Sequence, residues 1–486
     1  MDRREFVRRS AAVGAVAALP AWARRATAAA LDGPVARLAR LLDGAVVVPG
    51  GGRYASARLL WDTRFDGLKP RAVAYCANAA DVERVVRWAL RERIHVVPRS
   101  GGHSYAGYSS GHGVVIADVS RLSGVAVSPA RATVGAGAKL FSVYSALAQH
   151  GVTIPGGSCP TVGIAGLALG GGVGYSSRRF GTTADNLRRL RIVRADGESL
   201  VCDATHHADL FWACRGGGGG NFGIVTDLTL ATHPVSTVST YQIEWPWAEA
   251  PQALAAWQAF APHAPDELFS VLDLIATDPA TPGARAHITS AGQYFGPESD
   301  LSSLLQPLTS TGTPIRVTTR TLDYLDAVVH WAGCRDAASC TEARLTFAAK
   351  SDYVAKPLSS AAIATLVSGV TARQGHGRGA LYLDAYGGAI NRVPRAATAF
   401  VHRDALFSIQ YTTQWSGSAT SSLTWLAGLY AQMRPFVSGF AYQNYIDPQL
   451  ASWRHAYYGA NLPRLQGIKR SVDRHGFFRF AQSIRP

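Results

Sequence analysis

The run Pro155-Gly156-Gly157-Ser158-Cys159-Pro160-Thr161-Val162-Gly163-Ile164-Ala165-Gly166-Leu167-Ala168-Leu169-Gly170-Gly171-Gly172-Val173-Gly174 constrains the chain more than any other segment. Eight of its twenty residues are glycine, and most of the others are small. Such residues bury little apolar area of their own, and glycine loses more conformational freedom on folding than any other residue. The run makes sense where backbone packs flat against a large ligand. A second segment, Pro98-Arg99-Ser100-Gly101-Gly102-His103-Ser104-Tyr105, follows a short apolar strand. Its paired glycines let consecutive N–H groups turn toward an anion, the arrangement that cradles a pyrophosphate.

With 486 residues, the chain has material for two to three domains and a core large enough to enclose a cofactor. Ala72 to Cys76 reads as a strand, Asn78 stands where a helix cap belongs, and Val82 to Arg91 has apolar residues at helical spacing. His95 to Pro98, Val114 to Asp118 and Ala132 to Ala138 read as further strands, the last leading into a helix from Leu140 to His150. Beyond residue 235 the glycine runs stop. Strands such as Phe269 to Leu274 and Leu406 to Tyr411 then alternate with helices such as Leu254 to Phe260 and Ser359 to Val367. The predicted fold class is α+β: a mixed domain over 31–235, a substrate domain with an antiparallel sheet flanked by helices over 236–435, and a docked, aromatic-rich segment over 436–486.

Other chemistries fail on context. Gly107-Tyr108-Ser109-Ser110-Gly111 fits a nucleophile elbow, but a strand follows it where a helix is needed. Gly135-Ala136-Gly137 lacks the third glycine of a dinucleotide fingerprint, and His206-His207 reads as a surface pair. No CxxC, HExxH or P-loop occurs, so no metal site is expected. The net charge of +15 is spread over scattered arginines without interleaved aromatics, which speaks for a solvated surface and against nucleic acid. Residues 1–30 carry +4 of that charge. Asp2-Arg3-Arg4-Glu5-Phe6-Val7-Arg8 resembles the twin-arginine export signature. It precedes a short apolar stretch, Ala11 to Ala21, and small residues suited to a signal peptidase. Export by the twin-arginine machinery without stable membrane association is the expectation, since that stretch is too short to span a bilayer. Of the six cysteines, Cys76, Cys202 and Cys214 look like buried thiols, whereas Cys334 and Cys340 can bridge or stay reduced.

The two glycine-rich segments together resemble the berberine-bridge-enzyme-like branch of the vanillyl-alcohol-oxidase (PCMH-type) flavoprotein superfamily. The family's loop ending in Gly-Gly-His is similar to residues 99–103, and its Gly-Gly-x-Cys-Pro-x-Val-Gly loop to residues 156–163. The resemblance implies FAD bonded at its 8α-methyl to His103 and at its C6 to Cys159. It also implies cofactor contacts from Arg99, Ser100, Gly101, Gly102, Ser104, Gly157, Val162, Gly163, Gly166, Gly170, Gly171 and Gly174. Phe211 to Thr226, with Gly223, Ile224 and Val225, resembles the family's FAD-domain signature. Asn444-Tyr445, Trp453, Tyr458-Gly459 and Lys469 resemble its closing segment, in which Asn444 is a further cofactor contact. The usual Asp-Pro-x-Asn near the end is replaced by Asp473-Arg474-His475-Gly476.

The same resemblance implies a tyrosine over the flavin as base, Tyr445 first and Tyr442 second, for an oxidation in which hydride passes from carbon to the cofactor. A phenol must be pulled below its ordinary pKa of about 10 to act at neutral pH. Asp384, Tyr386 and Gln410 are the candidate neighbours. Val162 stands where valine opens the family's flavin to dioxygen and leucine closes it. These readings imply a secreted FAD oxidase that takes hydride from a CH–OH or CH–N carbon of a sugar, alcohol or glycosylated natural product, with O2 as acceptor and hydrogen peroxide as product. A dehydrogenase with another acceptor, or a protein that sequesters a small molecule, are the alternatives.

Overall fold

The computed structural model describes residues 33–277, 285–341 and 343–486, so the export signature at residues 1–30 lies outside the described residues. Four short strands open the fold in the order Ala45–Val47, Ala72–Tyr75, Val115–Asp118, Val96–Arg99. The last three are parallel, and Val115–Asp118 is buried throughout, as a central parallel strand must be. Helix Ala79–Glu92 connects two of them. Asn78 caps it by accepting the Asp81 N–H at 2.9 Å, and the buried Asp81 carboxylate accepts N–H groups from Asp43, Gly44 and Ala77. A five-stranded antiparallel sheet follows, in the order Val125–Ser128, Arg131–Gly135, Ile224–Ala231, Leu187–Val193, Ser199–Asp203. Gly135 and Gly137 lie against the carbonyls of Leu122 and Val119, which accounts for two glycines there without a nucleotide.

The second part is a seven-stranded antiparallel sheet in the order Arg316–Asp323, Thr237–Trp245, His287–Tyr294, Leu268–Ala276, Gly379–Ala385, Phe407–Gln414, Phe347–Val354. Period-two alternation separates its faces. Leu272, Leu274, Leu381, Leu383, Phe407 and Ile409 face helices Ala250–Phe260, Ser360–Arg373 and Thr420–Met433 and form the core of this part. The residues between them point to the other side, toward the glycine-rich loops. The fold is α+β, as the sequence predicts.

Two buried arginines join the parts. Arg178, from the short helix Ser177–Phe180, donates to the backbone carbonyls of Leu268, Pro262, Ala264 and Tyr386. The buried Arg403 pairs with the half-buried Asp185 at 2.6 Å. The closing segment docks on the first part: Lys469 Nζ donates to the carbonyls of Asn221 and Phe478 and pairs with Asp473 at 2.7 Å. The Asp473 carboxylate also accepts the N–H groups of Phe477 and Phe478, so Asp473-Arg474-His475-Gly476 closes its turn through its own aspartate. Cys334 and Cys340 form a disulfide, while Cys76, Cys202 and Cys214 are buried thiols. His206 is exposed and bound to Asp203, a surface role.

Replacing Arg178 by methionine leaves several buried carbonyls without a donor. The expected loss is on the order of 3 kcal/mol or more of folding stability, read as a lower urea midpoint at unchanged slope.

Candidate active site

One cavity of about 620 Å³ separates the glycine-rich loops from the polar face of the seven-stranded sheet. The loops reach this position by crossing each other. A Cβ on Gly101 would stand 2.3 Å from the Gly163 nitrogen, and one on Gly163 would stand 2.1 Å from Ser100 Oγ. A Cβ on Gly174 would likewise collide with the Gly156 carbonyl, and one on Gly223 with the Val193 carbonyl. These four glycines line the cavity, yet backbone against backbone is what forbids a side chain there. Gly170 and Gly171 correct the sequence reading further. Neither lines the cavity; they pack against Asn444 Oδ1 and the Phe400 ring. Gly166 behaves oppositely: it is exposed, borders the cavity, and a Cβ there would meet nothing within 4 Å. Gly219 sits beside it, also exposed. This smooth floor is the part of the site shaped for a flat ligand.

His103 and Cys159 both open onto the cavity. The His103 ring stacks on Trp61 with centroids 4.9 Å apart and planes 20° apart, and its Nε2 lies 2.8 Å from Thr161 Oγ1. Burial first, and the Lys139 charge second, push its pKa down to about 3, so the imidazole is neutral. Cys159 is the exposed thiol among the described cysteines outside the disulfide. The glycine floor between two loops, with the neutral His103 imidazole and the open Cys159 thiol beside it, leaves room for a flat ring system, and the residues present fit FAD. Arg99, Ser100, Gly101, Gly102 and Ser104, with Gly157, Val162, Ile224 and Val225, also line the cavity. Two of these side chains are already committed: Arg99 pairs with the buried Asp118, and Ser100 donates to the Ala136 carbonyl at 2.6 Å.

Across the cavity stands the sheet face. Register places Val271 opposite Asp384, Asp273 opposite Tyr382, and Tyr382 opposite Gln410, so these side chains share one surface. Gln410 donates to Tyr105 Oη at 3.0 Å, and Tyr105 stacks on Tyr445 at 5.5 Å with planes 6° apart. Tyr445 and Tyr442 meet edge to face at 5.0 Å. Tyr442 is pinned: its hydroxyl accepts from the Gly172 N–H and from Asn444 Nδ2, both at 2.8 Å, and Asn444 also donates to the Leu167 carbonyl. Tyr386 does not reach the cavity. It is buried against Tyr353, hydroxyl to hydroxyl at 2.9 Å.

The expected lowering of a phenol pKa is absent. Burial, reinforced by the Asp384 charge, pushes Tyr445 well above its ordinary value, and burial likewise raises Tyr442. The groups poised near neutrality are carboxyls. Burial raises Asp384 to about 6, and burial plus the Asp384 charge raises Asp273 to about 8. Asp273 escaped the sequence reading, although a lone acid within Leu268–Ala276, on the opposite face from Leu272 and Leu274, was the available signal. Trp61, Tyr382 and Thr161 were likewise given no role.

Residues 70–203 match the FAD binding domain family, and residues 441–485 match the berberine and berberine like family. An uncharacterized FAD-linked oxidoreductase of Bacillus subtilis is 33% identical over 86% of this chain and 91% of its own. A chitooligosaccharide oxidase of Gibberella zeae is 29% identical over 86% and 88%. Among solved structures, BBE-like 1 of Physcomitrella patens superposes with a TM-score of 0.86 at 31% identity, covering 93% of this chain and 99% of that one. The glycine floor, the two loops that meet at Gly101 and Gly163, and these likenesses agree: the chain belongs to the berberine bridge enzyme-like family of FAD-linked oxidoreductases in the vanillyl-alcohol-oxidase superfamily.

Proposed function

We propose that this protein is an exported oxidase whose FAD is tethered to both His103 and Cys159, and that it oxidises a carbinol carbon of a carbohydrate or related alcohol with release of hydrogen peroxide. The observation that carries this reading is the placement of a neutral imidazole and an open thiol on one cavity wall, facing a carboxyl pair on the other. Bound FAD supplies the two-electron acceptor for the reaction. The protein's own residues handle the proton. Asp384, ionised above about pH 6, accepts the proton of the substrate hydroxyl; Tyr445, kept protonated by burial, donates a hydrogen bond to the substrate oxygen. Gln410 and the stacked Tyr105 hold the Tyr445 ring in place. Asp273 and Asp384, diagonal neighbours on adjacent strands, titrate as a pair that retains one proton at neutral pH.

The polar sheet face suits a hydroxyl-rich substrate, and the chitooligosaccharide oxidase among the relatives supports a carbohydrate. Val162 borders the cavity where dioxygen would reach the cofactor. Export rests on the Arg3-Arg4 signature, and the Cys334–Cys340 disulfide agrees with an oxidising compartment.

Acid precipitation of the purified protein is the primary test. The yellow colour is expected to stay with the pellet, and mass spectrometry to find one flavin bridging the His103 and Cys159 peptides; flavin that washes out entirely defeats the tether. If Asp384 takes the proton, the rate of flavin reduction rises as pH climbs through about 6, because only the ionised form accepts. Asp384→Asn is expected to lower that rate by about 100-fold and abolish the limb, while an unchanged profile removes Asp384 from the role. Val162→Leu is expected to slow reoxidation by dioxygen in stopped flow and leave reduction intact; an unaltered oxygen rate excludes Val162 as the gate.

A further inference from the structure

We propose that Thr161 positions His103 for its bond to the flavin by changing from hydrogen-bond acceptor to hydrogen-bond donor as that bond forms. The inference rests on the tethered reading above and adds a residue to which that reading gives no part.

A neutral imidazole carries one N–H and one lone pair, and its partners decide which nitrogen holds which. Nε2 lies 2.8 Å from Thr161 Oγ1, so Nδ1 is the nitrogen left to react. Trp61 stacks on the ring face at 4.9 Å and restrains its rotation about Cβ–Cγ, which keeps Nε2 turned toward Thr161. With the proton on Nε2 and donated to Thr161, the lone pair rests on Nδ1 before any bond is made. After Nδ1 has bonded to carbon, Nε2 is the unsubstituted nitrogen and holds a lone pair. A donor is then needed where an acceptor stood. A hydroxyl serves in both roles by rotating; valine, of almost the same shape, serves in neither.

The chemistry balances as follows. One C–H bond of the flavin 8α-methyl and the Nε2–H bond of His103 break, and one Nδ1–C bond forms. The two protons and two electrons released pass to dioxygen, the acceptor of the proposed oxidase, as hydrogen peroxide. Thr161 neither gains nor loses atoms. It acts through His103, which makes it a positioning residue. Its place two residues after Cys159 puts the aligning group for one tether on the same loop as the other.

The test measures flavin on the His103 peptide and on the Cys159 peptide separately, by mass spectrometry of acid-precipitated protein expressed with its own FAD. Thr161→Val is expected to lower occupancy of the His103 peptide at least tenfold while the Cys159 peptide remains modified, and Thr161→Ser is expected to match the wild type. Thr161→Val with wild-type occupancy at His103, or Thr161→Ser as deficient as Thr161→Val, overturns the proposal. Should Thr161→Val prove insoluble, Thr161→Ala reads the same loss with no added bulk, and full His103 occupancy there overturns it equally. A wild-type protein with no flavin on His103 defeats the tether itself, a result distinct from a linked wild type with an equally linked valine variant.

Discussion

Everything at this site depends on one close approach, the crossing of the loop through Gly101 with the loop through Gly163. Their backbones meet at a distance that leaves no room for a Cβ on either side. The crossing sets His103, two residues beyond Gly101, and Cys159, four residues before Gly163, on a single wall. The Ser100 hydroxyl, committed to the Ala136 carbonyl, fixes the first loop from behind. A larger residue at either glycine would part the loops and separate His103 from Cys159, so the demand falls on the absence of side chains before it falls on the side chains present.

Much of this was legible in the sequence because it depends on residue types with few alternative uses. Runs of glycine mark close approach, and the His103 and Cys159 motifs marked which walls meet. Strand alternation in Leu268–Ala276 and Phe407–Gln414 marked a sheet with one buried face. What glycine cannot disclose is its partner. Gly166 and Gly170 look alike in sequence, yet one faces an open cavity and the other Asn444. Tyr386 followed the same logic in reverse: it lies two residues from Asp384, but a change of direction at the end of strand Gly379–Ala385 sends it into the packing around Tyr353. Arg178 carried no local signal, since its four acceptors are main-chain atoms 84 or more residues away.

The electrostatics of the cavity also depart from local expectation. A tyrosine suggested a lowered phenol, which calls for a cation or a hydrogen-bonding neighbour. The charges felt at Tyr445 come from Asp384 and other acidic groups, and burial acts in the same direction. A buried environment that penalises charge raises every acid within it. Of those acids, carboxyls begin low enough to be carried into the neutral range, whereas phenols begin too high. The difference in protonation between Asp384 and Tyr445 therefore follows mainly from their starting points.

Arg178 grips carbonyls from three separate stretches, at Pro262 and Ala264, at Leu268, and at Tyr386. That grip works as a rigid joint. The sheet that carries Asp273 and Asp384 is fastened there to the short helix Ser177–Phe180, which follows the glycine run. Within such a frame, exchanging side chains along the strand faces changes what the cavity wall presents and leaves untouched the main-chain carbonyls that Arg178 holds.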